Sequence, residues 1–178
     1  MRKLKNEELD RLTLDQYRGS KKIPVTVILD NVRSQHNIGS VFRTVDAFRL
    51  EKIILCGITA TPPHREIHKT ALGATESVNW EYMESTIQAA IELKEKNYRI
   101  ISVEQAEGAL TLEQFSLSPE CSYALVFGHE IRGVDQQVVD LADYCIEIPQ
   151  YGTKHSLNIS VAAGIAIWEL FRQMTRGA

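Results

Sequence analysis

The sequence predicts an α/β fold, a parallel-type sheet with helices on both faces. Three observations carry that expectation. Strand-like and helix-like patterns alternate about six times along the 178 residues, the signature of repeated strand–helix units. The first strand pattern, residues 25–29, is apolar and β-branched in the manner of a strand buried on both faces. Polar residues cluster where several strand patterns end, which is where ligands sit in open parallel sheets.

The elements follow in order. Residues 3–18 place Leu4, Leu9, Leu12, Leu14 and Tyr17 among charges and predict a short amphipathic helix. Gly19-Ser20-Lys21-Lys22 reads as a flexible basic connector, so residues 1–22 form an N-terminal arm and residues 23–178 the domain proper. After the first strand, residues 30–39 are a polar loop feeding a helix whose apolar face is Ile38, Val41, Phe42, Val45 and Phe48. Arg43 lies off that face, where an arginine is ordinarily a solvated surface residue. Residues 52–57 make the second strand, and Pro62 and Pro63 break the chain after it. His64 and His68 are spaced to share a helix face, but no third ligand stands at metal-site spacing, so no metal is expected.

A third strand covers residues 78–82, and Ser85-Thr86-Ile87-Gln88 is a capping-box pattern that opens the next helix. Residues 99–103 are the fourth strand, with a polar exit loop at 104–108. Residues 110–115 read as a short helical or irregular segment. The strand at 123–127 runs into Gly128-His129-Glu130-Ile131-Arg132-Gly133, and Val134, Val138, Val139 and Leu141 mark another helix. The strand at 145–148 is stopped by Pro149, and a polar turn with Gly152, Lys154 and His155 follows. Ser156 is the expected N-cap of the last helix, whose apolar positions are Ile159, Ala162, Ala163, Ala166, Ile167, Leu170 and Phe171. Ser160, Ala162, Ala163 and Gly164 crowd its first turns with small side chains, which allow close approach of another backbone. The polar clusters at 31–37, 103–107, 128–133 and 150–158 are all strand exits and are expected to share one rim.

Composition bounds the function. A hydrophobic content of 44% and a charged content of 24% describe a soluble globular protein. No apolar run reaches membrane-spanning length and no signal-peptide pattern opens the chain, so a cytoplasmic location is expected. Cys56, Cys121 and Cys145 form no C-x-x-C pair and read as small hydrophobes of a reducing compartment. The net charge of −3 is unevenly spread: residues 1–22 and 31–72 each carry +3, while residues 73–121 carry −6. Such one-sidedness suits a molecule whose basic face meets phosphates. Neither G-x-G-x-x-G after the first strand nor a P-loop pattern occurs, which leaves ordinary dinucleotide and nucleoside-triphosphate binding without support.

Three segments in this order resemble the SpoU/TrmH family of RNA ribose 2′-O-methyltransferases, within the SPOUT superfamily. They are Asn37-Ile38-Gly39-Ser40-Val41-Phe42-Arg43-Thr44, then Leu125-Val126-Phe127-Gly128-His129-Glu130, then Ile148-Pro149-Gln150 with Ser156-Leu157-Asn158-Ile159-Ser160-Val161-Ala162. The resemblance covers roughly residues 24–172. It implies an α/β knot, with the C-terminal part threaded as a deep trefoil against the usual rule. It also implies S-adenosylmethionine as cofactor, a homodimer with the active site near the subunit interface, and structured RNA as substrate, tRNA first and rRNA as the alternative. By position, the cofactor pocket falls to Val103, Gly128, Ile148 and Leu157, and catalysis to Arg43 with Asn37, Glu130, Ser156 and Asn158 around it. His129 stands where the family more often has Asn, and Ile131 where Gly is common, which predicts a stiffer loop. Neither a separate RNA-binding domain ahead of the domain nor a long basic tail after it is expected from these residues, which leaves the choice between tRNA and rRNA open.

A ribose hydroxyl is a poor nucleophile, so such chemistry needs alignment and help with proton loss. A guanidinium stays protonated in proteins, which argues against Arg43 as the base. The expected division of labour is Arg43 on an RNA phosphate and the developing alkoxide, with Glu130 or an RNA phosphate taking the proton. Two other classes fit less well: a catalytically silent RNA-binding knot protein, and a flavodoxin-like or Rossmann-type enzyme acting on a small metabolite.

Overall fold

A computed structural model describes residues 1–175 of the chain, so the last three residues of the expected domain lie outside the described residues. Seven parallel strands form one sheet: β1 (Ile23–Asp30), β2 (Leu50–Cys56), β3 (Asn79–Met83), β4 (Tyr98–Val103), β5 (Leu110–Thr111), β6 (Ser122–Phe127) and β7 (Tyr144–Glu147). Their order across the sheet is β3-β2-β1-β6-β4-β7-β5. The helices are α1 (Leu14–Gly19), α2 (Gln35–Ala47), α3 (Arg65–Ala71), α4 (Ala74–Ser77), α5 (Thr86–Glu95), α6 (Gln136–Leu141) and α7 (Ile159–Thr175).

Alternation along the strands sorts the core into two layers. Val25, Val27 and Leu29 of β1 face Ile38, Phe42, Ile67, Ala163 and Ile167, so α2, α3, α4 and α7 cover one side. Ile28, with Ile54, Ala124 and Val126, faces Ala89, Leu93 and Val138, so α5 and α6 cover the other. Both faces of the central strands are therefore dry, as their apolar sequences require. Burial pushes the Cys56 thiol up to about 12, with the Thr86 side chain pulling slightly the other way, and the group is inert at neutral pH.

Several local expectations change. The amphipathic pattern of residues 3–18 forms a 3₁₀ turn at Asn6–Glu8 and then the short α1. The break has a local cause: Thr13 and Gln16 close a capping box, and Asp10 takes a left-handed backbone, so a new helix starts inside the predicted one. The connector after it is held, with the Lys22 ammonium over the Tyr17 ring and the Ser20 hydroxyl donating to the Tyr17 carbonyl. His64 is the N-cap of α3, its Nδ1 accepting from the Glu66 amide at 3.2 Å, and it borders the same surface cleft as His68 one turn on. Residues 110–115 supply the two-residue strand β5, because Leu110 and Thr111 pair with Ile146 and Glu147. The last helix begins at Ile159, with Asn158 in the capping position that Ser156 was expected to fill: the Asn158 side-chain oxygen accepts from the Ser160 amide at 2.9 Å and the Ser160 hydroxyl at 2.6 Å.

Candidate active site

All four polar strand exits meet at the carboxyl ends of β1, β4, β6 and β7. The exits of β4, β6 and β7 enclose a cavity of about 570 Å³, and the β1 exit is tied to its edge through Asn37. Val103, Gly128, Ile148 and Leu157, the four positions expected to hold a cofactor, all line it. Glu130, Ser156 and Asn158 line it as well. Phe127, Ile159 and Ala162, which lie in the same motifs but were given no role in the site, add apolar wall.

The rim is stitched from three loops. Gln105 donates to the His155 carbonyl at 2.8 Å, tying the β4 exit to the β7 exit. Gly128 sits where a Cβ would run into the Gly133 carbonyl and the Val134 amide, so only glycine lets β6 turn this tightly. The loop then closes on itself: the His129 amide donates to the Gly133 carbonyl at 3.0 Å and the Gly133 amide to the His129 carbonyl at 2.8 Å. The His129 ring takes the part of a turn asparagine, its Nδ1 accepting from the Ile131 amide at 3.0 Å. Glu104 pins the far end by accepting from the Val134 amide at 2.9 Å. The sequence placed Glu104 in an exit cluster but gave it no role. A carboxylate directly after a buried strand was the available signal.

One chain of hydrogen bonds leads from the cavity to the start of α2. Asn158 donates to the Asn37 side-chain oxygen at 3.2 Å, and Asn37 donates in turn to Glu130 at 3.4 Å. Glu130 also accepts from the Arg33 amide at 3.1 Å and the Ser34 amide at 2.9 Å, just ahead of α2, whose N-cap is Ser34. Partial burial pushes the Glu130 carboxyl up, but these donors outweigh it and the group stays below the usual carboxylate range. The carboxylate is thus a holder of the α2 entry and a weak base. Ser156 borders the same group at the cavity wall.

Arg43 is not brought to this group within its own chain. It is exposed on α2, in a shallow surface shared with Ser40, Thr44, Phe48, Lys69 and Thr70. Phe48 of that surface packs against Trp168 and Phe171 of α7, with ring centroids 5.7 and 5.0 Å away. On α7 beside it, Val161, Ile165 and Trp168 form a stripe of exposed apolar side chains. Among the described residues, no group of three His, Cys, Asp or Glu side chains is placed to hold a metal ion, and no helix is long and apolar enough to cross a membrane.

The chain is similar to known proteins over most of its length. It is 29% identical to a putative TrmH family tRNA/rRNA methyltransferase of Staphylococcus aureus over 160 residues, 90% of this chain and 63% of that one. It is 30% identical to the 23S rRNA (guanosine-2′-O-)-methyltransferase of Nitrosomonas europaea over 159 residues, 89% of this chain and 60% of the relative. The chain therefore spans a little under two thirds of the length of these relatives. Among solved structures, a TrmH/SpoU tRNA modifying enzyme of A. aeolicus superposes with a TM-score of 0.80 at 26% identity, covering 92% of this chain and 83% of that one. The profile of the SpoU rRNA Methylase family matches residues 24–168, from the second residue of β1 well into α7. The fold, the rim built from its strand exits and this match agree: the chain belongs to the SpoU rRNA methylase family.

Proposed function

We propose that this protein transfers a methyl group from S-adenosylmethionine to a ribose 2′-hydroxyl of structured RNA, tRNA first and rRNA as the alternative. The observation that carries the reading is the strand-exit cavity joined by one hydrogen-bonded chain, Asn158 to Asn37 to Glu130, to the entry of α2. The cavity fits the cofactor. Its volume is in the range of nucleoside-sized sites, its walls at Ile148, Leu157 and Ala162 are apolar, and Gly128 leaves backbone groups accessible. Val103, Gly128, Ile148 and Leu157 would hold it. When bound, S-adenosylmethionine supplies a methyl carbon already activated by its sulfonium.

The chain's own residues then align the ribose and manage its proton. Asn37 and Asn158 fix each other's amide orientation, and Ser156 offers a hydroxyl beside them. Glu130 keeps the α2 entry in place. With three donors on it, its carboxylate is a poorer proton acceptor than the sequence suggested, and an RNA phosphate is a weaker base still, so the proton ends on solvent with either group serving only as a relay. Arg43 stays charged and clamps phosphate and alkoxide. Its place outside its own cavity, next to the exposed apolar stripe of α7, supports a homodimer in which Arg43 serves the partner's cavity. The deep trefoil knot is part of this reading. It is supported by β7 lying between β4 and β5 while residues 115 and 117 bond to Gln173 of α7. An experimental chain trace that reached α7 without passing the loop of residues 104–121 would remove the knot.

The test is incubation with labelled S-adenosylmethionine and separated tRNA and rRNA, followed by nucleoside mass spectrometry. A 2′-O-methylated nucleoside is expected, with cofactor binding undiminished by chelator. A base-methylated product would sink the reaction assigned. Binding of both cofactor and RNA with no methylated product would leave the silent RNA-binding reading in its place.

A further inference from the structure

A second cleft, of about 290 Å³, lies away from the cavity, between the loop at Pro62 and Pro63, α3, α4 and β3. Its walls are largely apolar: the two proline rings and the planar Trp80 indole, which is half-buried and packed on the core. Polar groups at its edge are the imidazoles of His64 and His68, the Thr75 hydroxyl and the Glu76 carboxylate. The His64 Nδ1 is occupied by the Glu66 amide, which leaves its other ring nitrogen to face a ligand.

Both flanks of the cleft are basic. On the α3 side Arg65 has 85% of its side chain exposed, while Lys69 is paired with Glu66 at 2.7 Å and borders the Arg43 surface instead. On the α4 side Arg18 of α1 donates to the Glu76 carbonyl at 2.7 Å, and Tyr17 beside it is buried, so the arm with its excess of three positive charges is anchored at the cleft's edge. The cleft is also mechanically joined to the candidate active site. Thr70 of α3 donates to the His36 carbonyl at 3.0 Å, and His36 Nε2 lies 2.9 Å from Glu66, next in sequence to Asn37.

We propose that this cleft binds one unpaired nucleobase of the substrate RNA, stacked on Trp80, while Arg65 and the arm hold the phosphates on either side. An aromatic face with basic margins is the recurring solution for a splayed single strand, because every base has a π-face and every linkage a negative charge. The Glu76 carboxylate accepts hydrogen bonds only, so the cleft favours a base that presents an exocyclic amine over uracil. The cleft thereby selects RNA with an unpaired nucleotide near the target ribose. The inference rests on RNA being the substrate, as proposed above.

The test uses the full chain and whichever RNA, unfractionated tRNA or rRNA, the wild type methylates. His68→Ala and Trp80→Leu are expected to raise the KM for RNA about tenfold, the scale of one lost base contact, with kcat and cofactor affinity unchanged. Thermal melting checks that Trp80→Leu is folded, and surface-exposed His68→Ala reports independently of the core. In parallel, a single-stranded hexanucleotide of adenosine should quench tryptophan emission in the wild type and not in Trp80→Leu, while an abasic hexamer of equal charge should not quench. Unchanged KM in both variants, or equal quenching by the abasic oligomer, overturns the base-binding cleft while leaving methyl transfer intact. A wild type that neither binds nor methylates RNA overturns both proposals together.

Discussion

At Arg43 one side chain separates stability from catalysis. Ile38, Val41, Phe42 and Val45 are fully buried on α2 without its help, so Arg43→Ala should change stability by no more than about 1 kcal/mol. Its distance from the cavity lining means that cofactor affinity, read by calorimetry, should hold. Turnover should fall by roughly two to four orders of magnitude, the scale of a lost charge-stabilising group. Arg43→Lys should fail nearly as badly if a planar fork on phosphate is required, and recover much of the rate if charge alone suffices. Full activity in Arg43→Ala with cofactor bound would end the assignment. Glu130 gives a pH prediction. Its folded-state pKa is depressed, so its contribution to stability is present above the unfolded value and lost as pH falls through the folded one. The acid limb of melting-temperature profiles should therefore be shallower in Glu130→Gln. The neutral-pH loss should be about 1 kcal/mol or less, because the group is exposed and screened. Retained turnover in that variant supports its role as a holder; a kcat loss matching that of Arg43→Ala would make it a proton acceptor.

Among the elements, α2 is positioned from both ends. Its entry hangs on Glu130, and its second turn is pressed against α3, where a Cβ on Gly39 would run into the Ile67 carbonyl and the Thr70 hydroxyl. Gly39→Ala should therefore destabilise by about 1–3 kcal/mol, as overpacking against backbone does. Because α2 also carries Asn37 and Arg43, activity should fall further than unfolding accounts for. An unchanged melting temperature would show that α3 yields. On the opposite face the buried Asp30 carboxylate takes the Thr86 hydroxyl at 2.6 Å, the Asp135 amide at 2.9 Å and the Asn31 side chain at 2.8 Å. It joins the ends of β1, α5 and α6 behind the cavity. Asp30→Ala strands those donors and should cost about 3 kcal/mol in denaturant unfolding; a loss under about 1 kcal/mol would show that water replaces the carboxylate.

The whole molecule has two faces left to explain: the basic surface and the apolar stripe of α7. Gly164 lies on α7 with nothing near a Cβ within the chain, so Gly164→Glu has room in a lone subunit. In the proposed homodimer it should dissociate the complex by light scattering while the melting curve stays cooperative. A wild type that is monomeric at micromolar concentration refutes the dimer. RNA affinity should fall with salt, with a log–log slope of about −0.7 to −0.9 per phosphate neutralised. A flat response between low and moderate salt would count against the basic face as the RNA surface.

The sequence by itself determined the layer architecture, because a pattern of apolar residues at period 2 or 3.6 is a local property that survives any topology. It also placed Val103, Gly128, Glu130, Ser156, Leu157 and Asn158 on one rim, since strand exits of a parallel sheet share an edge, while Ile148 came from the family resemblance and the 31–37 exit meets the rim only through Asn37. Local competition hid smaller features: Thr13 restarts a helix inside the 3–18 pattern, and Asn158 outcompetes Ser156 because its oxygen reaches both groups of Ser160. Only the tertiary structure decided what Glu130 does, for its donors come from residues nearly a hundred positions away, Arg33 and Ser34. The same holds for Arg43, which sits six residues from Asn37 in sequence and on another surface in space. A helix turns through 100° per residue, so neighbours in a motif need not be neighbours at a site, and hydrogen bonds between distant segments leave no periodic trace in the chain.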